Sequence, residues 1–414
     1  MYTRIRRAQR RAWDAATKLA GCALLLACLT MVGCGQAGAA TGNNGPAATV
    51  TTPPTPAPTR APSPTPTPGK PVMLQSLHMF DSMTGWAISS DRKHILRTTG
   101  GIQSWQDVTP AFNSNIYQIN ASEFLDDSHA WIALFPTNGP QSLPVLRTSD
   151  GGHTWQTVNL PEQGTGVSSI VFTDARDGWL MLGKGAAMSH EAVDILHTSN
   201  GGAAWSVIST TPTQGDQPGH IPFGGDKSGM SFADTSNGWV TGTIPTDNFV
   251  YLYKTSDGGV TWQHQTIPFT PFNNSQINTQ PPIFLSAGNG VLPVTIYLPS
   301  SPQSVIYVTN NDGASWNATT PVAGSTSAVS FVDMTHGWIV GTINDKSTLY
   351  ATSDGGQRWT QYALPFTSAS ASIVQLDFVS STTGWAVVAS GENAYQLWQT
   401  SNGGQSWTQV QPAL

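Results

Sequence analysis

The octapeptide TSDGGHTW, residues 148–155, decides the fold, because close copies of it recur along most of the chain. A second full copy, TSDGGVTW, occupies residues 255–262. An Asp or Asn side chain at its third position can accept backbone N–H bonds from residues further along the turn, and the glycines supply positive φ angles. The octapeptide therefore predicts a tight turn between two strands, covered by its closing tryptophan.

Five further copies keep this outline, and four of them replace the Asp at the third position. They are TTGGIQSW at 98–105, TSNGGAAW at 198–205, TNNDGASW at 309–316, TSDGGQRW at 352–359 and TSNGGQSW at 400–407. The copy at 98–105 lacks the acid altogether. Because side chains that shape a turn have their lone pairs occupied, we interpret the remaining third-position residues as structural rather than catalytic. These residues are Asp150, Asn200, Asp257, Asn311, Asp354 and Asn402.

A second motif alternates with the octapeptide and consists of a phenylalanine followed by Gly-Trp. It occurs at residues 80–86, 124–131, 172–179, 232–239, 284–291, 331–338 and 378–385, with Val291 replacing tryptophan in the fifth copy and Ala130 replacing glycine in the second. Of the 15 tryptophans in the chain, 13 lie in the two motifs. The high tryptophan content therefore reflects architecture rather than chemistry.

The spacing of the two motifs predicts the fold class. Both motifs have nearly fixed lengths, whereas the segments between them vary and contain strand-like runs such as VSSIVF and GWLMLG. Four short strands in each repeat of about 50 residues are typical of a propeller blade. We predict an all-β, seven-bladed β-propeller with four antiparallel strands per blade over residues 72–414. Each end of the chain is expected to complete its own blade, with no strand shared between the first and last repeats.

In such a blade the two motif turns lie at the same end of the sheet. We call this end of the molecule the box face, and the opposite end the variable face. All the length variation between repeats is expected on the variable face, where loops on a rigid scaffold commonly bind ligands.

The octapeptides, together with the turns of the form F-x-D-x-x-x-GW, resemble the Asp-box motif of the BNR/Asp-box repeat propellers. Among these, the sequence is most similar to the photosystem II assembly-factor-like group, and more distantly to bacterial sialidases and sortilin-type receptors. The resemblance covers residues 73–414 and implies the propeller fold. It implies little about activity, since enzymes and pure binding proteins share the box.

The N-terminus has the pattern of a lipoprotein signal peptide over residues 1–34. A basic start precedes an apolar run of 14 residues (19–32), which is short for a membrane-spanning helix. The MVGC sequence ending at Cys34 resembles a bacterial lipobox, so we expect acylation of Cys34. Cys28 and Cys22 end rival sequences, of which Cys28 is the stronger, and an unlipidated signal is a further alternative.

Residues 35–71 alternate Thr, Ser or Ala with Pro, as in TTPPTPAPTRAPSPTPTPGKP. This composition favours extended polyproline II structure, so we predict a disordered tether. Together with the signal peptide, the tether indicates an extracytoplasmic protein that a lipid anchors to the cell membrane.

The charge balance argues against nucleic acid as a partner. Residues 35–414 contain 12 Lys and Arg against 23 Asp and Glu, a formal charge of −11. Binding to a nucleic-acid phosphate backbone needs a basic surface, which this composition does not provide. The resemblance to the photosystem group also implies a basic patch for the partner, so the acidic composition makes a photosystem role doubtful. We expect no cofactor and no metal. The pair His190-Glu191 matches half of a zinc-protease motif but lacks the second histidine.

Catalytic chemistry is constrained by how few charged groups can reach the variable face. A sialidase needs an arginine cluster, yet Arg92 is the only one of five arginines after residue 72 that we place there. Other glycoside hydrolysis needs two facing carboxylates. The carboxylates left for that face are Glu191, Asp194, Asp216, Asp226 and Asp247.

We therefore predict a surface-anchored, monomeric, non-catalytic module that recognises a protein or a glycan. A glycoside hydrolase is the leading alternative, and a structural envelope component is the second. The longest loops on the variable face are expected at about residues 209–229 and 264–282, beside turns near 184–193 and 242–249. The candidate binding residues are Arg92, His190, Glu191, Asp194, Asp216, His220, Asp226, Lys227, Asp247, Asn273 and Asn274.

Overall fold

A computed structural model describes residues 69–137, 143–212, 215–246, 248–269, 275–366, 371–391 and 393–414. Strands and turns make up this part of the chain, and within it no helix is long and apolar enough to cross a membrane. The predicted signal peptide, Cys34 and residues 35–68 of the tether lie outside the described residues.

Each of the first three repeats forms its own four-stranded antiparallel sheet, with the strands in chain order across the sheet. In the first repeat they are β1 (Leu74–Met79), β2 (Gly85–Ser89), β3 (Ile95–Thr98) and β4 (Gln106–Asp107). In the second they are β5 (Tyr117–Phe124), β6 (Ala130–Pro136), β7 (Pro144–Thr148) and β8 (Gln156–Asn159). In the third they are β9 (Gly166–Phe172), β10 (Gly178–Ala187), β11 (His190–Thr198) and β12 (Ser206–Thr210).

The fourth and fifth repeats are joined at one position, Thr243 opposite Asn278, and so form a single ten-stranded sheet. The fourth repeat contributes β13 (Asp226–Phe232), β14 (Gly238–Thr243), β15 (Leu252–Thr255) and β16 (Gln263–His264). The fifth contributes β17 (Gln276–Thr279), β18 (Ile283–Ser286), β19 (Asn289–Tyr297), β20 (Gln303–Thr309), β21 (Asn317–Ala318) and β22 (Val322–Ala323). Its first strand is split into β17 and β18 by Pro281 and Pro282, because proline has no N–H to donate.

The last two repeats again form separate four-stranded sheets. The sixth contains β23 (Ser325–Phe331), β24 (Gly337–Ile343), β25 (Lys346–Thr352) and β26 (Thr360–Tyr362). The seventh contains β27 (Ser372–Phe378), β28 (Gly384–Gly391), β29 (Ala394–Thr400) and β30 (Thr408–Val410). The predicted all-β propeller of four-stranded antiparallel sheets is confirmed.

The octapeptide turns have the hydrogen bonds that their sequence predicts. In the second repeat the Thr148 hydroxyl donates to Asp150 at 2.8 Å, and Asp150 also accepts from the backbone N–H of Thr154 at 2.9 Å. Hydrogen bonds from Thr154 lower the pKa of Asp150 to about 2, so this carboxylate is ionised at neutral pH. The same two contacts recur at Asn200, Asp257, Asn311, Asp354 and Asn402.

The hydrophobic core lies between repeats rather than within them. Seven clusters of buried side chains are each shared by two consecutive repeats, and one of the seven joins the last repeat to the first. In three of these junctions, the Gly-Trp indole of one repeat stacks on the motif phenylalanine of the next, with ring centroids 3.5–3.9 Å apart. The repeats therefore form a closed ring in which the two sequence motifs meet across each junction.

The Gly-Trp indoles also make a hydrogen bond that sequence reasoning did not foresee. The indole N–H groups of Trp131, Trp179 and Trp338 donate to glycine carbonyls in the octapeptide of the following repeat, at 2.7–2.8 Å. The junction from the seventh repeat to the first is different. There, the buried indole nitrogen of Trp385 has no hydrogen-bond partner among the described residues, and the first octapeptide has Gly100 where the other copies have Asp or Asn.

The ring closes by other contacts at that junction. Gln375 exchanges two hydrogen bonds with the backbone of Leu77, and the Asp377 carboxylate accepts the Met79 N–H at 2.6 Å. The first and last sheets are each built from their own repeat, as expected. In addition, Ala413 forms bridges to Pro71 and Ser104, so residues 70–72, next to the predicted end of the tether, are already paired with the C-terminus.

Candidate functional site

A cavity of about 430 Å³ lies where the first strands of several repeats approach one another. Its walls come mainly from β1, β5 and β27, with Ile283 and Val329 contributed from the far side of the ring. Arg92, in the turn between β2 and β3, and Tyr395, on β29, place its opening towards the variable face. We call this cavity the channel mouth.

The polar groups of the channel mouth are mostly amides and hydroxyls. They are Gln75, Ser76, Asn120, Ser122, Gln375 and Tyr395, together with His78, Asp377 and the guanidinium of Arg92. Val374 adds an apolar side chain that is 41% exposed. A cavity with few charges and many hydrogen-bonding groups suits a polar ligand of low charge.

Among the described residues that line the channel mouth, Arg92 is the one Lys or Arg side chain, and its position is fixed by the backbone. Its φ is 59°, and its carbonyl accepts the Ile119 N–H at 3.0 Å, which ties the turn to the second repeat. The exposed side chain reaches Gln75, whose oxygen accepts from Arg92 Nε at 3.2 Å. The placement of Arg92 on the variable face was predicted from sequence.

The carboxylate chemistry of the channel mouth is limited. Among the described residues that line it, Asp377 is the single acid, and it is 3% exposed. Its side chain accepts the Met79 N–H of the first repeat. Glycoside hydrolysis by the usual routes needs two carboxyl groups roughly 5–10 Å apart across the bond that is cleaved. The described lining of the channel mouth does not supply such a pair.

Several of the predicted binding residues meet instead at the junction of the third and fourth repeats. Lys227 is 8% exposed, and its ammonium donates to the carbonyls of Glu191 at 2.6 Å and Gly225 at 2.8 Å, with Phe223 and Gly224 at 3.2 and 3.4 Å. The Glu191 carboxylate accepts the Lys227 N–H at 2.7 Å. These contacts hold the loop before β13 against β11.

Burial lowers the pKa of Lys227 to about 8, against the opposing influence of Glu191, Asp226 and Asp216. Asp216 and Asp226 are exposed near this ammonium, whereas Lys227 itself is enclosed by backbone. A lysine in this position stabilises the loop, and the two exposed acids are the groups that a ligand could reach.

The remaining candidates are dispersed. Asp194 is buried on β11 and pairs with Lys184 at 3.1 Å. The exposed His190 contacts the Met188 carbonyl through Nδ1 at 2.8 Å. His220 contacts the Thr210 carbonyl at 3.2 Å. Asp247, Asn273 and Asn274 lie outside the described residues.

Two of the expected loops differ from their predicted form. The segment near 184–193 is a tight hairpin, because β10 and β11 are linked only by Met188 and Ser189, both with positive φ. The connection between β12 and β13 does not stay on the variable face. It runs back towards the box face, where Gly219 accepts the Trp262 N–H at 3.0 Å. Residue counts alone predicted loop length but not the path of the loop.

Sequence reasoning missed most of the channel mouth. Gln75, Asn120 and Gln375 lie on first strands, where a polar side chain can face the axis on one side of the strand while its neighbours enter the core. That alternation was the available signal. In the described residues, no group of three His, Cys, Asp or Glu side chains is arranged to hold a metal.

Comparison with known proteins agrees with this architecture. The family model described as sortilin, neurotensin receptor 3 (Sortilin-Vps10) matches residues 304–414, which span only the later repeats. A xyloglucanase from Paenibacillus sp. is 24% identical over 291 residues, covering 62% of this chain. The match spans 27% of the length of that relative, about a quarter.

Solved structures share the fold at low identity. The GH74 xyloglucanase of Xanthomonas campestris is 15% identical, with a TM-score of 0.58 over 84% of this chain and 55% of its own. The GH74 enzyme of Niastella koreensis is 14% identical, with a TM-score of 0.52 over 84% of this chain and 67% of its own. YCF48 bound to D1 peptide is 15% identical, with a TM-score of 0.49 over 81% of this chain and 93% of its own. The likenesses to the two GH74 enzymes support the β-propeller fold.

Proposed function

We propose that the chain is a surface-anchored, non-catalytic binding or assembly module whose protein or glycan ligand enters the channel mouth. The observation that carries this proposal is the composition of the cavity, which has several amides and hydroxyls, one guanidinium and a single buried carboxylate engaged by backbone. Such groups orient a polar ligand by hydrogen bonds. They do not supply the paired acid and base of a hydrolase.

Arg92 is the residue on which this proposal is tested. Its guanidinium is exposed, and its loss removes charge-assisted hydrogen bonds without emptying the core. For a ligand found with a glycan array or a pull-down using residues 69–414, Arg92→Ala is expected to weaken the affinity about tenfold, a loss of about 1.4 kcal/mol. Titration calorimetry measures the change.

Arg358→Ala is the matched control, because Arg358 is also exposed but lies in an octapeptide turn on the box face. Its affinity for the ligand should equal that of the wild type. If both variants bind as the wild type does, the ligand does not enter the channel mouth. If neither array nor pull-down finds a ligand, the purely structural envelope role gains support.

A glycoside hydrolase is the second candidate, and the Paenibacillus xyloglucanase is the observation that favours it. The same protein sample, incubated with xyloglucan, separates the two functions. Binding of xyloglucan without an increase in reducing ends supports a glycan-binding module. An increase in reducing ends would establish hydrolysis and overturn the non-catalytic proposal.

Anchoring by a lipid on Cys34 is part of the same proposal and rests on the sequence of residues 1–34. We expect mass spectrometry of the native protein to find a lipid-modified Cys34 as the first residue. Each buried CH₂ contributes about 0.8 kcal/mol, so a protein with multiple acyl chains should resist salt and be released by detergent. Cys34→Ala should shift the protein to the soluble or uncleaved fraction.

The alternatives give different results in that experiment. A lipidated N-terminus at Cys28 would move the cleavage site and keep the anchor. Release by a salt wash would indicate peripheral association, and recovery of an unlipidated protein from the medium would indicate a secreted module.

A further inference from the structure

A second cavity, of about 320 Å³, lies on the box face between the second and third repeats. The octapeptide of the second repeat forms one wall, through Thr148, Ser149 and Thr154. The opposite wall comes from the third repeat, through Arg176 in its Phe–Gly-Trp turn and Asn200 in its octapeptide. Because the channel mouth opens at the other face, the two cavities are independent of each other.

Two guanidinium groups line this cavity, those of Arg147 and Arg176. Among the described residues, neither has a carboxylate oxygen within 4.0 Å of its nitrogens. This is unusual in a chain with a formal charge of −6, where acidic partners are in excess. Two unpaired cations that face one concave space are suited to a negatively charged ligand.

Arg147 is a fixed charge. Its Nε donates to Gln156 at 3.0 Å, and its Nη1 donates to the carbonyls of Asn200 and Gly201 at 3.2 and 2.9 Å. All of these acceptors are neutral, so they orient the guanidinium without cancelling its charge. Arg147 also links the second repeat to the third, because Trp131 donates to the same Gly201 carbonyl.

Arg176 is the more exposed of the two arginines. Its side chain is exposed, and its backbone N–H is held by Asp174 at 2.7 Å. The nearby acids have oxygens committed to their own turns: Asp174 also accepts from Asp177 N–H, and Asp150 accepts from Thr148 and Thr154. These carboxylates weaken the attraction for an anion but leave the fork of Arg176 available, whereas the N–H groups of Arg147 already donate to Gln156, Asn200 and Gly201.

We propose that this cavity binds an oxyanion group (a carboxylate, sulfate or phosphate), with Arg176 as the contacting residue and Arg147 as the second charge. The planar fork of arginine matches two oxygens of such a group. The hydroxyl of Ser149 lies in the same wall and can donate to a further oxygen. The site is distinct from the proposed ligand site at the channel mouth.

The test uses the full chain in detergent, labelled with ¹⁵N-arginine, and follows the side-chain Nε–Hε signals by NMR. Sodium sulfate replaces sodium chloride at constant ionic strength, and parallel titrations use inorganic phosphate and acetate. We expect the Arg147 and Arg176 signals to shift and saturate together, while the Arg358 signal stays in place. Acetate as the strongest probe would indicate a carboxylate ligand, and sulfate or phosphate would indicate a tetrahedral oxyanion.

Arg176→Gln should raise the anion concentration that half-saturates the Arg147 signal about tenfold, because one charged contact is lost. Arg176→Lys should restore part of the affinity, since it returns the charge without the fork. Arg358→Gln should have no effect. The proposal is overturned if no probe gives a saturable shift, or if Arg176→Gln titrates as the wild type does.

Discussion

Trp262→Ala is expected to lower the free energy of unfolding by about 3–5 kcal/mol. The Trp262 side chain is 1% exposed and packs edge-on against Phe232, with ring centroids 6.2 Å apart. Its indole N–H donates to the Gly259 carbonyl of the same turn at 3.0 Å. Truncation therefore removes a large apolar surface and leaves both a cavity and an unpaired carbonyl between the third and fourth repeats. Urea unfolding of residues 69–414 measures the loss.

Asp226→Ala is the control for that experiment. Asp226 is exposed at the start of β13, and its replacement should change stability by less than about 0.5 kcal/mol. The two positions lie in the same repeat, so a general weakening of that repeat would affect both. Equal losses of unfolding free energy in Trp262→Ala and Asp226→Ala would mean that stability does not depend on the octapeptide tryptophan.

The octapeptides explain why the fold could be predicted from sequence. A turn such as 255–262 fixes its own geometry, since Asp257 bonds within the turn and two glycines have positive φ. Local chemistry of this kind is visible in a sequence. Repeating it at intervals of about 50 residues leaves a ring of sheets as the arrangement that buries each repeat against its neighbours.

Contacts between repeats could not be predicted in the same way. Trp179 was recognised as an architectural residue of the second motif, but its hydrogen bond to Gly258 joins positions 79 residues apart. Gln375 and Leu77 are 298 residues apart. Their pairing depends on the number of repeats and on the twist that brings the last repeat to the first. No local pattern encodes either quantity.

The candidate site was predicted only in part, for a related reason. Arg92 was placed on the variable face by its turn, and it does line the channel mouth there. Lys227 was chosen as a loop residue, yet the loop folds over it and encloses its ammonium in backbone carbonyls. Sequence indicates which residues lie in loops, whereas packing decides which of them solvent can reach.

The acidic composition also has a different meaning in the structure than in the sequence. Many of the carboxylates shape turns, as Asp174 and Asp234 do by accepting two backbone N–H groups each. Asp377 serves a junction between repeats. An abundance of acids therefore supplies few that could act as a general acid or base, which favours binding over hydrolysis as the function of the channel mouth.

The junction between the seventh and first repeats should be the most sensitive to loss of a single polar group. Asp377→Ala is expected to lower the free energy of unfolding by about 2–3 kcal/mol, because the buried Met79 N–H loses a charged acceptor. The missing partner of the Trp385 indole increases the dependence of this junction on Asp377. Urea unfolding gives the overall loss, and hydrogen exchange of β1 amides locates it.

Ser330→Ala provides the matched comparison at the preceding junction. The Ser330 hydroxyl accepts the Phe378 N–H at 3.1 Å, as the Asp377 carboxylate accepts that of Met79 one repeat later. A neutral acceptor contributes less, so we expect a loss of about 1 kcal/mol, with exchange in β1 unchanged. If Ser330→Ala destabilises the protein as much as Asp377→Ala, the closing junction has no special weakness. If exchange in β1 is unaffected by Asp377→Ala, the ring is closed by the C-terminal pairing of Ala413 with the first repeat rather than by the carboxylate.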